Sequence, residues 1–427
     1  MCKARPLYKN CFVLLKSANC GIITAKEVQK VNIAIPDNVL HAMAILEQNG
    51  HSAYAVGGCV RDSLLGHKPY DWDICTSALT EQMEECFADF RIIPTGVKHG
   101  TLTIIVDEPL EITTFRIDGD YLDNRRPSGV LFTRNLSDDL CRRDFTVNAM
   151  ALNSRGEITD LYGGREDLEA KRIRCVGDAE TRFDEDALRI MRALRFASTL
   201  GFEIEEKTAS AIHAKKHLLK NIAAERIQKE FTKLLTGNCC EILAEFSDVI
   251  SVFLPEIQTN TDTLRRLAAS SADSALRLAI LFGNASAQTA ADRLHALKYD
   301  NRTINQICLM LDSAPAEIRT ERPQIKRLLN RYGEADAKTV LAFHLYSEKI
   351  TDETHRAATT AVDDIIASGE CFTLSKLAVN GRDISALGLF PAKQTGKVLF
   401  TLLERVMDEE AKNEKDSLLL LAKSLKY

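Results

Sequence analysis

The sequence predicts an α+β head followed by an all-α remainder, and three observations carry that expectation. Residues 32–175 mix short β-rich runs with helical segments, punctuated by Gly57-Gly58, Gly66, Gly96 and Gly163-Gly164. From about Glu180 onward apolar residues recur at spacings of three and four, as in Leu188, Met191 and Leu194, or Ile227, Phe231, Leu234 and Leu235. That later stretch is also rich in Ala, Leu, Glu, Lys and Arg, which favour helix. Breaks are expected near 176, 240 and 370. No fixed-period repeat or low-complexity tract interrupts the pattern.

The chain has 427 residues, room for two to four domains at about 150 residues each. Hydrophobic residues make up 45% and charged residues 27%, the balance of a soluble globular chain rather than of disorder. The formal net charge of −5 excludes a bulk-basic DNA coat and leaves room for a local basic strip that binds RNA. Twelve cysteines are spaced irregularly with no C-x-x-C pair. That argues against a zinc finger and against a secreted disulfide scaffold, and predicts reduced thiols in a cytoplasmic protein. Residues 1–31 read as an extension to which no role is assigned. Its apolar patch, 11–15, is interrupted by Lys16, and Ala-x-Ala cleavage spacing is missing. No run reaches the roughly 18 apolar residues that span a bilayer, so no membrane partner is expected.

Within the head, strands are expected over 53–56, 71–75, 101–106 and 111–115. Gly57 and Gly58 follow the first of these and precede a helix-like stretch. That turn leaves backbone N–H groups and a helix N-terminus open to an anion such as a triphosphate. Arg61, one turn into the helix, can reach the same anion. Asp71 and Asp73, two apart on an expected strand, point to one face. A D-x-D by itself also fits two solvated aspartates at a strand edge. Coupled to Gly-Gly and a helix, it points instead to a Mg²⁺ ion held with phosphate oxygens, the arrangement that activates an attacking hydroxyl and stabilises leaving pyrophosphate. Glu111, on the last strand, is either a third carboxylate approaching the pair or a surface glutamate.

A second group begins at Arg142-Arg143-Asp144 and runs to Asn148. Guanidinium forks suit phosphate, and Asp or Asn suits ribose hydroxyls; a solvated charge cluster has the same composition. Residues 182–196 are expected as one helix on which Asp186, Arg189, Arg192 and Arg195 step by three into an oblique ridge. Ala187, Ile190, Met191 and Leu194 take the core-facing side. An exposed salt-bridged face is one reading of the ridge. The other is recognition of a base edge. Cytosine and adenine present an amine beside an unprotonated ring nitrogen, whereas uracil and guanine present a carbonyl beside an N–H. An Asp that only accepts and an Arg that only donates select C and A together.

Taken in order, these motifs resemble the class II tRNA nucleotidyltransferases of the bacterial CCA-adding type and the related bacterial poly(A) polymerases. The resemblance runs from about residue 33 to the end. It implies a polymerase-β-like nucleotidyltransferase head over 32–175, a helical neck with a nucleotide-template helix over 176–240, a helical body over 241–370 and a tRNA-binding helical tail over 371–427. By position it assigns Mg²⁺ to Asp71 and Asp73, with Glu111 at the family's third acidic position. It assigns contacts with incoming CTP or ATP to Gly58, Arg61, Arg143, Asp186, Arg189, Arg192 and Arg195. The implied partners are the acceptor arm and 3′ end of tRNA, not DNA.

Residues 115–127 resemble the flexible loop of CCA- and A-adding members, which argues against CC-only addition. Residues 377–383 resemble the tail of CCA-adding members. No His-Asp dipeptide occurs, so no phosphohydrolase domain is expected. The non-basic C-terminal stretch differs from the basic extension common in poly(A) polymerases. The expected activity is template-independent addition or repair of the tRNA 3′-terminal CCA. Its rivals are A-only addition or poly(A) tailing on the same fold, and a non-catalytic tRNA-binding protein.

Overall fold

A computed structural model of the chain describes residues 28–30, 33–119, 129–283 and 285–425. By contacts it divides into two compact units, one of residues up to 193 together with 202–221, the other of 194–201 together with 222 onward.

The first unit is built on an eight-stranded mixed sheet. Its strands are β1 (Val28–Lys30), β2 (Ala53–Val56), β3 (Asp73–Thr76), β4 (Arg91–Gly96), β5 (Thr101–Val106), β6 (Glu108–Thr114) and, after the ribbon β7 (Arg116–Asp118) and β8 (Val130–Phe132), β9 (Met150–Leu152) and β10 (Glu157–Asp160). The order across the sheet is β1-β10-β9-β2-β3-β6-β5-β4. β3 and β6 run parallel, and the other neighbours are antiparallel. Strand alternation sorts the side chains between two apolar clusters. Ile74 and Ile112 join Leu102, Ile104 and helix Asp37–Gln48 in one cluster. Cys75 joins Val56, Phe115, Leu136 and Leu140 in the other. Asp73 and Glu111 share the parity of Cys75, so the second face carries both carboxylates.

Two expectations change here and one gains detail. The extension expected over 1–31 ends in a strand, since β1 pairs with β10 at the sheet edge. The third strand starts at Asp73, so Asp71 lies in the loop before it and not on the strand. The segment 182–196 is two helices, Ala179–Glu185 and Leu188–Leu200, because Asp186 adopts an extended conformation with φ −135° and ψ 102°. Its Oδ1 accepts from the Leu188 N–H at 3.0 Å, so the carboxylate caps the second helix instead of riding on a continuous ridge. The loop expected over 115–127 falls largely outside the described residues.

The second unit is helical throughout its described length. Its helix starts are written in side chains that stop the preceding loop: Asn260, Asp273, Ser286, Asp300 and Thr351 each accept a backbone N–H three residues on. Helix Arg322–Tyr346 bends at Gly333, whose φ of 78° a side chain would resist. Around its first half a core of Ile325, Leu329, Val362, Phe372, Leu402 and Leu418 closes. Among the described residues no helix is long and apolar enough to cross a membrane.

Candidate active site

The site grows from the turn after β2. Gly57 holds φ 83° and ψ −128°, and a Cβ there would come within 3.2 Å of the Arg143 Nη1. The positive φ favours glycine, and the arginine lying against it would have to give by a few tenths of an ångström for a side chain. The Gly57 N–H donates to the Met150 carbonyl at 3.4 Å, so this one expected anion donor is spent on the sheet. Helix Gly58–Leu64 follows and carries Arg61.

Across the sheet, Asp73 opens β3 in parallel register with Glu111 of β6. Asp73 keeps accessible surface, yet the protein around it desolvates the carboxylate. Desolvation first, then the charges of Asp71 and Glu111, push its carboxyl up to about 6, while Arg143 opposes them. Three carboxylates therefore share a neighbourhood with one arginine acting on Asp73. Among the described residues no three His, Cys, Asp or Glu side chains form a closed metal cage. The arrangement fits instead an open site in which one or two carboxylates hold a divalent ion and substrate oxygens complete it. Excess negative charge is what such an ion relieves.

The Arg-Arg-Asp motif is wired to this centre through buried groups. Asp139 is fully buried and binds both arginines, with Arg142 Nη2 at 2.6 Å and Arg143 Nη2 at 3.0 Å. Asp144 is also buried. It accepts from Arg192 Nε at 2.7 Å, Asn148 Nδ2 at 3.1 Å and the Phe145 N–H at 2.8 Å. Burial alone would raise its carboxyl, but Arg192, Asn148 and the Phe145 N–H bring it down to about 2. Asn148 in turn accepts from Arg61 Nη1 at 2.7 Å. The result is a relay, Arg61–Asn148–Asp144–Arg192, that fixes two arginines expected to contact the incoming nucleotide, from different helices.

Arg189 lies in the first turn of helix Leu188–Leu200 and is buried. Its Nη1 donates to Glu185 at 2.5 Å and to the Arg182 carbonyl at 3.1 Å, and its Nη2 donates to the Arg142 carbonyl at 2.8 Å. This guanidinium is held in one orientation beside Asp186. Arg195 falls in the second unit, where its Nε lies 2.9 Å from Glu230 and the group stacks 4.0 Å from the Phe196 ring centre. A cleft of about 920 Å³ lined by Tyr162, Arg174, Asp178, Glu205 and Lys207 holds none of these residues.

The chain is similar to known proteins over most of its length. A CCA-adding enzyme of Bacillus cytotoxicus is 37% identical over 87% of this chain and 94% of its own length, and one of Lactobacillus delbrueckii is 37% identical over 90% and 97%. The chain belongs to the family of CCA-adding enzymes. It is a nucleotidyltransferase. Residues 53–174 match the poly A polymerase head domain, 201–259 the RNA and SrmB-binding site of polymerase A, and 269–422 the tRNA nucleotidyltransferase domain 2. The crystal structure of the Bacillus stearothermophilus CCA-adding enzyme in complex with CTP superposes with a TM-score of 0.78 at 31% identity, covering 91% of this chain and 98% of that one.

Sequence reasoning named Glu185 within the template motif but missed its bond from Arg189, and it missed Asp139 and the bridging role of Asn148. Asp139 sits on a short helix within an otherwise ordinary acidic run. Only its burial singles it out.

Proposed function

We propose that this enzyme completes or repairs the 3′-terminal CCA of tRNA from CTP and ATP, without a nucleic-acid template, in the cytoplasm. The observation that supports it best is the crowding of Asp71 and Glu111 around Asp73 beside the Gly57 turn and Arg143. Asp71 and Asp73 would hold the divalent ion, Mg²⁺ in this reading, which lowers the pKa of the tRNA 3′-hydroxyl and screens phosphate charge when bound. The hydroxyl attacks the α-phosphate, the bond to the β-phosphate breaks and pyrophosphate leaves. Gly58, Arg61, Arg143 and Arg192 bind the triphosphate and sugar, and rigid placement supplies most of the rate. Asp186 accepts from the base amine and Arg189 donates to the ring nitrogen, which favours C and A and leaves a charged group unpaired against U or G. The neck, 176–240, carries the nucleotide-template helix, while the body, 241–370, holds the acceptor arm by shape and phosphate contacts and the tail, 371–427, also binds tRNA.

End-sequencing of products tests this. A tRNA transcript lacking CCA is expected to end in CC with CTP alone and in CCA with both nucleotides. A single A added only to tRNA already ending in CC, or long A tracts on any RNA, would replace the reading with A-addition or poly(A) tailing.

A further inference from the structure

Tyr70 has no part in the chemistry described so far, yet it is the most exposed large apolar side chain described. Its relative exposure is 101%, against 71% for Leu420, the next. An aromatic ring left wholly in water gains nothing for the fold, since its apolar area contributes only when buried. Its position is set closely on both sides. His67 donates its N–H to the Asp62 carbonyl at 2.9 Å, Pro69 restricts the backbone, and Trp72 packs against the cluster of Leu46, Met83 and Ile104. Between these anchors Tyr70 immediately precedes Asp71, about 3.8 Å away from Cα to Cα. A short, pinned loop thus carries a bare ring on the residue next to Asp71, one of the crowded carboxylates.

The reaction proposed above brings two groups to this spot from outside, the incoming nucleotide, whose base is assigned to Asp186 and Arg189, and the 3′-terminal nucleotide of the RNA, whose base has no partner assigned. The RNA hydroxyl must reach the phosphate beside Asp71 and Asp73, which brings the RNA end to the loop that carries Asp71. Every base has a π face, and an exposed aromatic ring holds one regardless of sequence. That tolerance suits a primer end whose last base changes as addition proceeds. We propose that Tyr70 is a stacking platform for the 3′-terminal base of the RNA acceptor, a role that rests on the nucleotidyltransferase reading of this site.

The test uses the full chain with Tyr70→Ala, Tyr70→Leu and Tyr70→Phe. A tRNA carrying 2-aminopurine as its 3′-terminal base is titrated with each protein, and stacking is read as quenching of that base. Quenching is expected with the wild type and Tyr70→Phe and lost with Tyr70→Ala and Tyr70→Leu, because a ring is needed and not merely apolar area. In turnover assays the KM for tRNA should rise about 5- to 150-fold in Tyr70→Ala, the range expected for one lost base stack, with the KM for CTP unchanged. Trp72 is the only tryptophan of the chain, so its emission reports the loop and should stay constant. Equal quenching in all four proteins, a rise in the KM for CTP instead of tRNA, or a shifted Trp72 emission accompanying the loss would overturn the platform. Failure of the wild type to add any nucleotide would overturn the activity instead, and the quenching experiment reads the stacking independently of it.

Discussion

The two units handle charge in opposite ways. In the first, Asp71 and Glu111 crowd Asp73, whose carboxyl is pushed up to about 6. In the second, Glu370 is paired with Arg322 and lies 2.8 Å from Lys326 Nζ, with the Ser368 hydroxyl donating as well. The hydrogen bond from Arg322 leads in pulling that carboxyl down to about 2, with Lys326 and Ser368 adding to it. Lys326 is itself almost wholly buried and reaches Glu409 at 3.1 Å. A cluster that satisfies itself holds helices together. A cluster that leaves like charges facing one another is costly unless something cationic arrives, and so marks a place where a ligand belongs. The contrast separates two sets of acidic residues that look alike in the sequence.

The contrast breaks most visibly at its acidic end. Asp73→Asn should cut nucleotide addition by at least about 1000-fold, the scale of losing transition-state charge stabilisation, while the thermal midpoint does not fall, because a repulsion has been removed. A variant that is inactive only because it unfolds would erase the distinction between the units. Arg189→Ala should next relax base choice, raising misincorporation of U or G about 100-fold; unchanged selectivity for C and A would remove the base-reading role. On the paired side, Glu370→Gln should destabilise by about 2 kcal/mol in denaturant unfolding, since Lys326 keeps only Glu409, and should leave kcat for addition alone. A smaller effect concerns pH. The folded Glu370 carboxyl titrates near 2, below its ordinary value of 4.5. Its contribution to stability is therefore complete above pH 4.5 and lost as pH falls towards 2. The thermal midpoint of Glu370→Gln should accordingly fall less steeply than the wild type's across that window.

Much of the head was legible because its cues are local. Gly-Gly after an apolar run, alternation in β5 and β6, and the change to helical spacing after Glu180 all act over a few residues. The break at Asp186 was not legible. Apolar spacing of three and four continues through it, and only the capping bond to Leu188 interrupts the helix. Even so, an Asp ahead of an apolar helical run is an N-cap pattern that could have been read. Asp71 was misplaced for a related reason, since D-W-D-I alternates like a strand while pairing begins only at Asp73. The supporting shell lay beyond local reading altogether. Asn148 meets Arg61 across 87 positions, and Arg192 meets Asp144 across 48. Glu370 reaches Arg322 over the same distance of 48. Such partners are chosen by the folded topology, and nothing at either position announces them.

The metal assignment proposed for the head is that its crowded carboxylates hold a divalent ion together with the nucleotide. It is tested most directly by the thermal midpoint in CTP with and without Mg²⁺, for the wild type and for the Asp71→Asn, Asp73→Asn double variant. Binding to the folded state alone raises the midpoint. Mg²⁺ is expected to add a shift in the wild type and none in the double variant. An equal shift in both would place the ion elsewhere and contradict the account.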